Sequence, residues 1–164
     1  MTPELRFLIR GHVIALSATL GLWGMQAMAA DGLTTIQSSF GPQDTVRRLE
    51  AEVKAKGMTV FARIDHAAGA AAVGLPLRST ELLIFGNAKG GTPLMQSNQT
   101  IGIDLPLKAL VWGDASGVTW LSYNDPSWLA KRHGMGADVE PMVKAMAAAL
   151  AAVATTAMLS SSSA

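Results

Sequence analysis

A chain of 164 residues, 49% of them hydrophobic, has room for one domain with a sizeable core and is not a disordered polymer. With 13 basic and 12 acidic side chains the net charge is +1, and no Lys/Arg cluster exceeds a pair, so nothing marks the chain for nucleic acid. The cysteine count of 0 excludes disulfide staples, thiol nucleophiles, iron–sulfur clusters and cysteine-type zinc sites.

At the start, Arg6 and Arg10 form a basic n-region, Val13 to Trp23 is an uncharged apolar stretch, and Ala27 and Ala29 supply small residues for a peptidase. Residues 1–29 read as a cleaved secretory leader, which places the mature chain in the periplasm or outside the cell. A membrane anchor is the competing reading, but it needs about 20 apolar residues. Loss of Glu4, Arg6 and Arg10 leaves a formally neutral domain with no expected membrane attachment.

Leu33 to Ser39 is short and β-branched, a first strand. The segment GPQDTVRRLEAEVKAKG sets Val46, Leu49 and Val53 on one helical face, with Glu50 four residues before Lys54 and Gly57 past the end. Met58 to Asp65 alternates Val60, Ala62 and Ile64 against Thr59, Phe61 and Arg63, the period of a strand. His66 to Pro76 is small and glycine-punctuated, either a loose helical turn or a surface loop.

Thr80 to Phe85 is a further strand, and its unbroken run Leu82 to Phe85 predicts burial on both faces near the sheet centre. A short helix is expected next, with Thr92 as N-cap and Pro93 at the first helical position. Leu107 to Trp112 and Val118 to Tyr123 flank GDASG as a hairpin. Asp125 and Pro126 open a helix that Gly134 stops. Val139, Val143, Met146, Leu150 and Val153 recur at helical spacing in a closing helix, about 138–159, expected to pack on the sheet rather than cross a membrane. Residues 160–164 read as a frayed tail. Hairpin-linked strands with segregated helices predict a single α+β domain over residues 30–159, with a largely antiparallel sheet and helices on one face.

The stretch IFGNAKGGTPLM, Ile84 to Met95, invites comparison with a phosphate loop. A G-x-x-x-x-G-K-[ST] motif counted from Gly86 places Gly91 correctly but puts Thr92 where the lysine must balance phosphate charge and Pro93 where the hydroxyl must hold magnesium. What remains is a helix start beside Lys89 that can favour an anion, or a strand-to-helix turn that needs glycine.

His66 and His133 each close a predicted element, and either is a possible base or ligand, although solvation and the helix dipole account for both. Glu81 and Asp104 lie in apolar surroundings and require a partner such as Arg78, Lys108 or backbone N–H. No G-x-S-x-G or H-E-x-x-H pattern is present. The methionines show no M-x-x-M or H-x-M copper cluster, and core packing is their reading. Trp112, Trp120, Trp128, Tyr123 and Phe85 gather around the hairpin, as pocket lining or as core.

The segments IDHAAGA, TELLIFGNAKGGTPLMQSN, IDLPLKALVW and WLSYNDPSWLAKRHG, in this order, resemble the bacterial domain of unknown function 302 family over about residues 40–134. The resemblance implies a compact domain with a four- or five-stranded antiparallel sheet, similar to TATA-binding-protein-like topology, and implies no activity. Family members tend to carry proline after FGN, where this chain has Ala88, which loosens the turn. Residues that match the family's motifs and can do chemistry are His66, Glu81, Asn87, Thr92, Met95, Asp104, Tyr123, Asn124 and His133. The expected function is non-catalytic binding of a small molecule or ion by an exported domain, with no cofactor and no metal site. The alternatives are a hydrolase or isomerase using a histidine–carboxylate pair, and an assembly module, for which a homodimer is a possible state.

Overall fold

A computed structural model describes residues 31–159. The expected leader and the tail at 160–164 lie outside the described residues. The order is β1 (Leu33–Gln37), α1 (Pro42–Ala55), β2 (Thr59–Asp65), α2 (His66–Ala72), β3 (Thr80–Gly86), α3 (Ala88–Ser97), a 3-10 turn (Gln99–Ile103), β4 (Leu107–Gly113), β5 (Thr119–Asn124), α4 (Pro126–Arg132), a second 3-10 turn (Ala137–Val139) and α5 (Glu140–Met158).

The five strands form one sheet in the order β1-β5-β4-β3-β2, antiparallel at each pairing. Strand side chains alternate between faces, so Leu83, Phe85, Ala109, Val111, Leu121 and Tyr123 share the inner face. Val46, Leu49 and Val53 of α1 and Leu150, Val153, Ala154, Ala157 and Met158 of α5 cover it. The two periods read from the sequence, 3.6 for these helices and 2 for the strands, therefore meet in one core. The other face stays uncovered: Leu82, Ile84 and Leu110 are half-buried there, beside Trp112 and Trp120, whose stacked rings lie 6.2 Å apart. This corrects the expectation for β3, which is buried on one face and lies second from the sheet edge.

Local signals explain the boundaries. Pro42 opens α1 and Gly57, at φ +70°, follows its end. The segment after β2 is helical, its first turn capped by the Asp65 carboxylate, which accepts from the Ala68 N–H at 2.8 Å. In the β4–β5 hairpin Asp114 accepts from the Ser116 and Val118 N–H groups, at 2.8 and 2.9 Å, and from the Trp120 indole. Asp125 caps α4 as predicted, accepting from Ser127 and Trp128.

The expected Thr92 cap is wrong by more than a turn. The α3 helix begins at Ala88, Asn87 is its N-cap and accepts from the Lys89 N–H at 2.8 Å, and Pro93 sits inside the helix. Asn87 wins because its side chain satisfies a first-turn amide directly, and Gly90 and Gly91 adopt helical geometry instead of breaking it.

The α5 helix with its preceding turn, Ala137–Met158, spans 22 residues at a mean hydropathy of 1.4, long and apolar enough by composition to cross a membrane. Its Val143, Leu150, Val153, Ala154, Ala157 and Met158 side are buried in the domain, as the periodicity predicted.

Candidate functional site

The stretch from Gly86 to Met95 leaves the sheet and runs along one wall of a cavity of about 720 Å³. The end of β3, the first turns of α3 and the segment Leu105–Leu107 form one side, and α5 closes the other through Met142, Ala145, Met146, Ala149 and Leu150. Met58 and Phe61 enter from β2. A β-bulge between Val60 and Ala62 leaves Phe61 out of the ladder, and its ring is 58% exposed at the groove. Bulges re-aim side chains in this way, and the simple alternation read from the sequence gave no signal for it.

The walls are almost wholly apolar. Lys56, Asn87, Lys89 and Thr92 supply the polar side chains, and no carboxylate lines the groove. Gly91 makes room: a β-carbon there would lie 3.6 Å from Leu105 Cδ1 and 3.9 Å from Met95 Cε. Of the nine candidates, Asn87, Thr92 and Met95 line this groove.

A second group comes together beside it. His133, at the C-terminus of α4, places Nε2 2.7 Å from Asp104 Oδ2 and Nδ1 2.8 Å from Thr100 Oγ1. Arg132 reaches the other Asp104 oxygen at 3.2 Å. The directions of these bonds can be assigned. Asn98 donates Nδ2–H to the His133 carbonyl at 2.7 Å, so its Oδ1 is the atom facing Thr100. The Thr100 hydroxyl therefore donates to Asn98 and accepts from His133 Nδ1, while Nε2 donates to the carboxylate. Both ring nitrogens are donors, and no lone pair is left to take a proton from a substrate.

Hydroxyl, imidazole and carboxylate are thus a staple between the 3-10 turn and α4. Asp104 directly precedes the wall Leu105–Leu107, and Lys108 Nζ donates to the Asp104 and Pro106 carbonyls, at 2.9 and 3.2 Å, so the staple also sets that wall. The sequence reading offered Arg78 or Lys108 as side-chain partners for the two acids. Arg78 instead donates to the Gly113 carbonyl.

Glu81 is buried on the inner face, ion-paired with Arg63, which also faces Glu50 at 3.7 Å and Gln43 at 3.3 Å. The Glu81 carboxylate raises the Arg63 guanidinium above its ordinary range, mainly through their hydrogen bond. His66 is exposed at the start of α2. Tyr123 is in the core, where burial pushes its phenol above the ordinary value against the opposing hydrogen bond with Thr34. Asn124 ends β5, remote in register from the groove. Among the described residues no group of three or more His, Asp or Glu is placed to hold a metal.

A family model described as domain of unknown function DUF302 matches residues 34–153. The crystal structure of an uncharacterized conserved DUF302 protein from Bacillus stearothermophilus superposes with a TM-score of 0.71 at 22% identity, covering 78% of this chain and 99% of that one. Relatives in Brucella suis and Brucella abortus, each called fluoride-specific ion channel FluC 1, are 49% identical over 122 residues, which is 74% of this chain and 48% and 45% of theirs. The chain spans about half the length of these curated relatives.

Proposed function

The chain belongs to the domain of unknown function DUF302 family, and from that premise and the chemistry of the groove we propose a domain that binds a small, largely apolar molecule without transforming it. The observation that carries this reading is the groove itself: about 720 Å³, walled by aliphatic and thioether side chains, with a few polar groups at Lys56, Asn87, Lys89 and Thr92. Small-molecule sites have this size and composition. Catalysis finds less support, because His133 has both nitrogens committed and Glu81 is bound to Arg63. Action in the periplasm is part of the proposal and rests on the leader-like pattern of Arg6, Arg10, Val13 to Trp23, Ala27 and Ala29.

A thermal-shift screen with apolar metabolites tests it, since a ligand that binds the folded state raises the melting temperature. The variant Gly91→Leu fills the groove from its wall and is expected to abolish the shift. A wild-type protein indifferent to the whole panel, or a Gly91→Leu protein that responds equally, would sink the proposal.

A second reading takes its observation from the Brucella relatives, where the matched segment is under half of a chain named as a fluoride channel. In it the domain is an accessory module of a membrane transport protein. Fluoride that stabilises the domain more than chloride at equal ionic strength would favour this reading over the first.

A further inference from the structure

The groove's charge is one-sided. Lys56 and Lys89 are its charged lining residues, it has no acid to balance them, and neither lysine has a carboxylate within ion-pair distance among the described residues. Lys89 stands in the first turn of α3, where the aligned peptide dipoles also favour negative charge. Away from the lysines, Met58, Met95, Met142 and Met146 line the walls with a single aromatic ring, Phe61. Thioether chains adapt to a flexible aliphatic surface, whereas a flat aromatic ligand is better matched by aromatic walls.

We propose that the groove takes a free single-chain amphiphile with a straight aliphatic tail and an anionic head, the chemistry of a medium-chain carboxylic acid. The tail lies against the methionines and Leu105, and the head is held by Lys56 and Lys89. This rests on the groove being the binding site, and it adds the sign of the head and the shape of the tail. A cationic head meets two uncompensated ammonium groups, and an uncharged head gains nothing from them.

Isothermal titration of the full chain with hexanoate, octanoate, decanoate, decanol and decylamine separates these cases. Each added methylene in the acid series is expected to tighten binding by up to about fourfold, from about 0.8 kcal/mol per buried CH₂. Decanoate should bind about fivefold more tightly than decanol at low salt, with the gap shrinking as salt is added. In the double variant Lys56→Gln with Lys89→Gln, decanoate should fall to the affinity of decanol; both lysines are exposed, and decanol binding reports that the groove is still formed.

Equal affinity for decanoate and decanol in the wild type overturns the anionic head while leaving the groove as a binding site. Tighter binding of decylamine does the same. Binding without chain-length dependence overturns the aliphatic tail. No binding by any of the five overturns this proposal, and the apolar-ligand reading falls with it if the metabolite screen is also silent. Sedimentation with phosphatidylglycerol vesicles in place of monomer binding assigns the lysines to a membrane surface and overturns the free amphiphile.

Discussion

Single atoms decide several positions in this domain. Gly32 has φ +75°, and a β-carbon there would lie 2.2 Å from the Trp128 ring, while its carbonyl accepts from the Asp125 N–H at 2.7 Å. Gly32→Ala combines backbone strain with overpacking, and an urea titration should show a loss of about 2 kcal/mol or more. At Glu81 the carboxylate is 5% exposed and its ion pair with Arg63 ties β2 to β3. Arg63→Ala leaves that acid without its charged partner and should cost about 2 kcal/mol in the same assay. The need for a partner was legible from an acid inside TELLIF; Arg63 as that partner was not, because 18 residues separate them and strand register brings them together.

At the scale of an element, α3 carries the lesson of the glycine stretch. Asn87 and Thr92 are both residue types that cap helices, so local preference alone left the start undecided. Asn87→Ala should cost about 1 kcal/mol and loosen the groove wall it begins. Gly90 lies inside α3 with negative φ and open space around its would-be β-carbon. Gly90→Ala is therefore expected to stabilise the protein by about 0.5–1 kcal/mol, read as a higher urea midpoint. If Thr92 were the true cap, Gly90 would lie outside the helix and this gain would be absent.

Across the whole molecule, titration sets the pH range of stability. The Lys54 hydrogen bond is the main cause that holds the Glu50 carboxyl below its ordinary range, the Trp120 indole does so for Asp114, and Lys144 for Glu140. A lowered carboxyl contributes stability above its unfolded value and loses it as pH falls through the folded one. Tyr123 has the opposite sign: burial raises it, so its contribution is complete below the ordinary phenol value and is lost as pH rises. Urea midpoints should be flat near neutrality and decline below about pH 4 and above about pH 10. Tyr123→Phe should soften the alkaline decline.

The sequence by itself determined the α+β class, the amphipathic faces of α1 and α5, the hairpin, the α4 cap and the family, because each is written in residues close along the chain. Tertiary structure alone decided the rest. It joined Asp104 to His133 across 29 residues, left one sheet face open although β3 reads as apolar throughout, and turned Phe61 out through a bulge. It also made a groove from the glycine stretch and α5, which lie far apart in the chain. The physical reason is the same in each case: periodicity and capping act within a few residues, whereas partners, open faces and cavities depend on which distant surfaces the fold presses together.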